Sequence, residues 1–265
     1  MSGFSIERDI VSYVAIGDSF TEGMSDPYPD STAVPTGRYR GWADRLAEHM
    51  ADHIGEVRYA NLAVRGKLIR QIVAEQLPRA IELRPDLVTI CAGGNDIIRP
   101  GSDPDQVAEI FEGAIGRLRE TGADVLIFTG FDTGFQPVMR RFRGKIATYN
   151  MHLRGIADRY GCQVVDLWSM KIFADRQAWD ADRLHLSPEG HRRLALRVAE
   201  VLGLPADEDW NAPWPALPPM AWHVARQQDL HWAREFLVPW IGRRLTGRSS
   251  GDGIRPKRPN LERLR

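Results

Sequence analysis

The chain has 265 residues, 43% hydrophobic, 26% charged and 9% aromatic, an ordinary globular composition with room for one large domain or two small ones. Its 35 Lys/Arg balance 35 Asp/Glu, which argues against a dedicated nucleic-acid binder with its usual basic excess. No apolar run approaches the roughly 18 residues of a membrane-spanning helix, and two cysteines, Cys91 and Cys162, exclude a disulfide scaffold or a cysteine zinc site.

The N-terminus lacks the basic-then-apolar order of a secretory signal, so the expected location is cytoplasmic. In chain order, a nearly continuous apolar run at 12–17 reads as a strand buried on both faces. A helix follows at 41–54, with Trp42, Leu46 and Met50 on one side. A second strand at 57–63 leads to a helical pattern at 68–83. A third strand at 87–92 precedes a helix at 105–119, where Val107, Ile110, Phe111, Ile115 and Leu118 recur at helical spacing. A fourth strand at 125–130 precedes a helix at 138–160. A fifth at 164–167 precedes one at 189–202, opened by Ser187-Pro188 as N-cap and first-turn proline. Strand–helix alternation of this kind predicts a doubly wound α/β sheet with its functional residues at the carboxyl ends of the strands.

The character changes after residue 204. Residues 204–219 hold five prolines and two tryptophans and cannot form a regular helix. Residues 221–241 read as an amphipathic helix bearing Trp222, Leu230, Trp232, Phe236, Leu237 and Trp240. Packing on the core is the expected role, with a peripheral membrane or subunit contact as the alternative. Residues 241–265 carry eight Lys/Arg against two Asp/Glu, leaving the other 240 residues at a net −6. A solvated strap on the protein's own acidic surface is expected, rather than contact with anionic lipid or another partner. The chain therefore divides into a body at 1–204 and an extension at 205–265, on or beside it.

Four strand-end or loop segments carry chemistry. The first strand runs into Gly17-Asp18-Ser19-Phe20, where a serine in a tight turn is exposed as a nucleophile would be. Alone, this is also good turn chemistry. The second ends in Asn61-Leu62-Ala63-Val64-Arg65-Gly66, whose glycine offers a backbone N–H or merely a turn. The third ends in Gly93-Gly94-Asn95-Asp96, where a neutral amide donor suits a developing oxyanion. The last is Asp182-Arg183-Leu184-His185, a carboxylate and an imidazole three residues apart before a helix, as a serine nucleophile's base requires.

Together, and in this order over residues 13–191, these segments resemble the four blocks of the SGNH hydrolases, also called GDSL esterases/lipases. Phe20 stands where the family more often has Leu. The resemblance implies Ser19 as nucleophile, His185 as general base and then acid, and Asp182 as its orienting carboxylate. It implies an oxyanion hole of the Ser19 N–H, the Gly66 N–H and the Asn95 side chain. It also implies a flavodoxin-like three-layer α/β/α sandwich with five parallel strands, no metal or organic cofactor, and a small-molecule ester as substrate. Short to medium acyl esters and acetylated sugars fit equally well. An acyltransferase on the same triad and a non-catalytic binding module are the alternatives.

Among the other histidines, His191 is expected to pack, and His49 and His53, one helical turn apart, lack a third ligand for a metal. The loops at 24–40 and 131–138 are expected to border the pocket, the second through Phe131, Asp132, Phe135 and Gln136.

Overall fold

The computed structural model describes residues 10–28, 39–205, 208–245 and 249–264. Strand β1 (Ile10–Gly17) runs into a single helical turn, α1 (Ser19–Glu22). Then come α2 (Gly41–Ile54), β2 (Glu56–Asn61), α3 (Ile69–Glu75), α4 (Leu77–Glu82), β3 (Leu87–Cys91), a second short turn α5 (Gly94–Ile97), and α6 (Pro104–Arg119). They are followed by β4 (Asp124–Phe128), α7 (Arg143–Tyr160), β5 (Gln163–Val165) and α8 (Pro188–Val201). Last come α9 (Trp222–Trp232), a π-helical stretch (Ala233–Leu237), α10 (Val238–Leu245) and β6 (Arg258–Leu264).

The predicted helix at 68–83 is divided between α3 and α4 at Gln76. Pro78 enters there at the start of the second helix, and having no N–H it cannot continue the ladder of the first. The predicted helix at 138–160 begins instead with a 3₁₀ turn, Met139–Phe142, ahead of α7.

The sheet order is β5-β4-β3-β1-β2-β6. The first five strands are parallel, in the doubly wound order of flavodoxin-type sheets. Side chains alternate across β1. Val11, Tyr13 and Ala15 pack with Trp42 and Leu46 of α2 and Leu194 and Val198 of α8. Val14 and Ile16 pack with Phe111 and Ile115 of α6 and Leu153 and Ile156 of α7 on the other face.

The expected five-stranded sheet is corrected by β6, which pairs antiparallel with β2 and makes six. This strand comes from the basic tail. Its charges hid it, yet charged residues are what an exposed sheet edge tolerates. Arg263 meets Glu56 at 2.9 Å and Arg258 meets Glu262 at 2.8 Å. Just before β6, Lys257 is buried. Its ammonium donates to the carbonyls of Glu22 (2.8 Å), Tyr39 (2.7 Å) and Arg40 (2.8 Å) and pairs with Asp44 at 2.8 Å. Tyr59 donates to the same carboxylate at 2.6 Å, and Tyr28 does so as well. The tail is therefore stitched into the body through its acidic interior partner. The tail arginines Arg243, Arg244 and Arg248 and the final Arg265 lie outside the described side chains, as do Pro29 and Pro35 of the loop at 24–40.

Among the described residues no helix is long and apolar enough to cross a membrane, and no group of three His, Cys, Asp or Glu is placed to hold a metal ion.

Candidate active site

The sheet order reverses between β1 and β3, and the crevice outside the carboxyl ends of those strands is where doubly wound sheets place their sites. Gly17 closes β1 there. A Cβ at Gly17 would collide with the Cys91 carbonyl oxygen at the end of β3, so glycine lets the two strand ends approach. The buried Gln76 side chain clamps the same residue twice, accepting from the Gly17 N–H and donating to its carbonyl, each at 2.8 Å. Asp18 then caps α1 by accepting from the Phe20 N–H at 3.1 Å, and Ser19 is the first residue of that turn.

Gly66 follows β2 with φ of +72°, a left-handed conformation that favours glycine. Its turn is held by Glu22, whose carboxylate accepts from the Arg65 N–H at 2.7 Å and pairs with the Arg65 guanidinium. On the other side it is covered by the tail, where a Cβ at Gly66 would strike the Ser249 hydroxyl. Asn95 stands in α5 after β3. Its amide donates to Asp18 at 3.1 Å and to the Lys67 carbonyl at 3.2 Å, which ties the first, second and third segments together. Tyr149 of α7 braces the base of this turn by donating to the Ala92 carbonyl at 3.1 Å. Asn61, by contrast, is a buried structural residue, donating to the Thr21 carbonyl at 2.9 Å.

The fourth segment is a tight loop closed by a bridge between Trp179 and Leu186 and by the Asp180 N–H donating to the His185 carbonyl at 2.9 Å. Arg183 sits at its tip with φ of +57°. The loop sets His185 Nδ1 2.6 Å from Asp182 Oδ2, while Asp182 Oδ1 accepts from the Leu184 and His185 N–H groups, both at 2.9 Å. Burial alone would raise the Asp182 carboxyl. The His185 bond and charge and the two backbone donors outweigh it and hold the group below the usual carboxylate range. An imidazole that donates from Nδ1 keeps Nε2 as its basic nitrogen. Asp18 goes the other way, for burial pushes its carboxyl up to about 6.

Ser19, Gly66, Asn95, Asp182 and His185 all line one cavity of about 540 Å³. Met24, Gln136 and Val138 border it too, as the two loops were expected to. Phe131, Asp132 and Phe135 do not. They line a neighbouring cavity of about 510 Å³, because Phe131 is drawn into an aromatic cluster with Phe20, Phe173 and Trp179. His191 is buried and bonded at both nitrogens, accepting from the Trp42 N–H at 3.2 Å and donating to the Met24 carbonyl at 3.0 Å, and burial lowers its pKa to about 4. His49 donates to the Pro205 carbonyl at 2.6 Å.

Sequence reasoning missed Glu22 and Gln76, which fix the turns that carry the site, and it missed the cover. None of the α9 side chains is buried, and Trp222 and Leu230 are exposed. Instead of sinking into the core, the helix lies over the cavity, with Trp232 donating to the Asp182 carbonyl at 2.9 Å.

Residues 15–193 match the model of the GDSL-like lipase/acylhydrolase family. The chain belongs to that family. It is accordingly a carboxylic ester hydrolase by class. Among solved structures it is similar to Axe2, an acetylxylan esterase from Geobacillus stearothermophilus, at 20% identity and a TM-score of 0.60, covering 76% of this chain and 95% of that one. It is also similar to LAE5, an α/β hydrolase enzyme from the metagenome of Lake Arreo, Spain, at 22% identity and a TM-score of 0.59, covering 73% and 95%. At such identities the likeness speaks for the fold. No curated protein matches the chain.

Proposed function

We propose that the family member hydrolyses carboxylic esters through a Ser19–His185–Asp182 triad, with an oxyanion hole formed by the Ser19 N–H, the Gly66 N–H and the Asn95 side-chain amide. The observation that carries this reading is the 2.6 Å Asp182–His185 bond on the wall of the cavity that Ser19, Gly66 and Asn95 also line. The machinery lies within residues 1–204, and the extension at 205–265 covers and braces it. The ester class this serves is either short to medium acyl esters or acetylated sugars.

Ser19 Oγ attacks the ester carbonyl carbon while its proton passes to His185 Nε2. Asp182 fixes the tautomer that makes Nε2 the base and stabilises the imidazolium once it forms. Negative charge develops on the carbonyl oxygen and is met by the three N–H donors, the Asn95 amide turning to it from the Asp18 carboxyl and the Lys67 carbonyl that it contacts. The tetrahedral intermediate collapses, the alcohol leaves with the Nε2 proton, and an acyl group remains on Ser19. Water then gives a proton to Nε2 and attacks the acyl carbon. Release of the acid returns the proton to Ser19.

The test is hydrolysis of p-nitrophenyl esters from acetate to palmitate by the wild type, Ser19→Ala and His185→Ala. Wild-type turnover that falls by roughly 10⁴–10⁶ in kcat in each variant is expected. A folded Ser19→Ala protein with near wild-type turnover would overturn the assignment.

A further inference from the structure

The cavity over Ser19 has a polar floor and an apolar roof. Ser19, Gly66, Asn95 and the His185–Asp182 pair supply the polar floor, and Trp232, Phe236 and Trp240 supply the apolar roof, lining the same cavity as Val138, Met139 and Leu184. The acidic side chains on the roof have partners, Asp229 pairing with Arg183 at 2.6 Å and Glu235 meeting the His231 imidazole at 2.7 Å. What the roof presents to a substrate is therefore mainly hydrocarbon and indole surface.

Two features show that this surface is built. The helix widens to π geometry at Ala233–Leu237, and both Phe236 and its neighbour Leu237 line the cavity. A π insertion changes the angular step between successive side chains, and such insertions gather at functional sites. The roof is also latched to the catalytic loop. The Trp232 indole N–H donates to the Asp182 carbonyl at 2.9 Å, and the Arg183 guanidinium lies 4.8 Å from the centre of the Trp232 ring. The latch holds the apolar surface over the residues that flank His185. The family match ends at residue 193, so the roof belongs to the part of this chain that lies beyond it.

We propose that Trp232, Phe236 and Trp240 form a hydrocarbon-binding subsite, and that the substrate is an ester carrying an extended aliphatic or aryl group rather than an acetylated polysaccharide. The proposal rests on the reading of Ser19 as nucleophile. A cavity of about 540 Å³ is within the range of pockets that take up a whole small molecule, roughly 300–1,000 Å³, and is far larger than an acetyl group needs. Each methylene buried in such a chamber strengthens transition-state binding by roughly fourfold.

The hydrocarbon could belong to the acyl or the alcohol half of the ester, so the experiment has two arms. One uses p-nitrophenyl esters from acetate to octanoate, the other n-alkyl acetates from ethyl to octyl, each with full-length wild type, Phe236→Ala and Phe236→Trp. In at least one arm, wild-type kcat/KM should climb tenfold or more from shortest to longest. Phe236→Ala should cut that long-to-short ratio by roughly tenfold. Phe236→Trp, which fills the chamber without removing roof surface, should cut it too, with the melting temperature preserved. The arm that responds names the half of the ester that is bound.

Flat selectivity in both arms of the wild type would overturn the subsite, as would variants that slow every ester by one common factor. Faster turnover of acetylated xylooligosaccharide than of any long ester would also overturn it. If Ser19→Ala keeps its activity while the Phe236 variants still change the ratio, the nucleophile reading fails and the subsite stands.

Discussion

Two buried groups in the body turn pH into stability with opposite signs. Burial pushes the Asp18 carboxyl up from 3.8 to about 6, so its contribution is complete below 3.8 and is lost as pH rises through about 6. Burial lowers His191 from 6.5 to about 4, so its contribution is complete above 6.5 and is lost as pH falls through about 4. Each amounts to about 3 kcal/mol, and over the shared window they offset. Asp18→Asn removes one partner of that balance. Its melting temperature should fall more steeply than the wild type's between pH 7 and 4.5, and parallel curves would contradict the assignment. On the reaction itself, Asn95→Ala should lower kcat by roughly 10²–10³ with the fold retained by circular dichroism. A loss under threefold would remove Asn95 from the oxyanion hole. Ser19, Asn95 and the Asp182–His185 pair are legible in the sequence as candidates because their short segments, each ordinary turn chemistry alone, stand together in the order of the SGNH blocks. Glu22 and Gln76 are not, because what they hold lies 43 and 59 residues away along the chain and no short motif encodes it.

At the scale of elements, the parallel strands and most helices announce themselves through apolar periodicity, but two C-terminal elements do not. The helix at 221–241 shows the expected amphipathic pattern, yet apolar residues that roof a cavity have the same spacing as residues that enter a core. The edge strand β6 has the opposite problem. Its burial is only partial, and four of its seven residues are charged or proline, so it reads as a basic tail. The residue that decides its placement is Lys257, whose acceptors include a carbonyl 235 positions upstream. Lys257→Met keeps the length of the stem and removes the ammonium. It leaves the buried Asp44 without its lysine partner and should cost about 3–5 kcal/mol, read as a lower urea midpoint with an unchanged slope. Stability within about 0.5 kcal/mol of wild type would show that the anchor does not hold the tail.

For the whole molecule, the tail connects the sheet edge to the site. Residues 249–250 line the cavity and cover the Gly66 turn, Lys257 pins the segment, and β6 pairs with β2. A chain ending at residue 255 should therefore lose both tail functions. It would leave the β2 edge unpaired, and an exposed edge strand promotes self-association. Size-exclusion chromatography should show larger species, together with reduced esterase activity, and a monomeric, fully active truncation would contradict this. The central claim is that Ser19 is activated by His185 within this roofed chamber. Its most direct test is intact-mass measurement after treatment with an alkyl fluorophosphonate, which forms a stable adduct only with an activated serine. One adduct, mapped to Ser19 in the wild type and absent from both Ser19→Ala and His185→Ala, is the result this account requires. Labelling at another residue, or equal labelling of the folded His185→Ala protein, would contradict it.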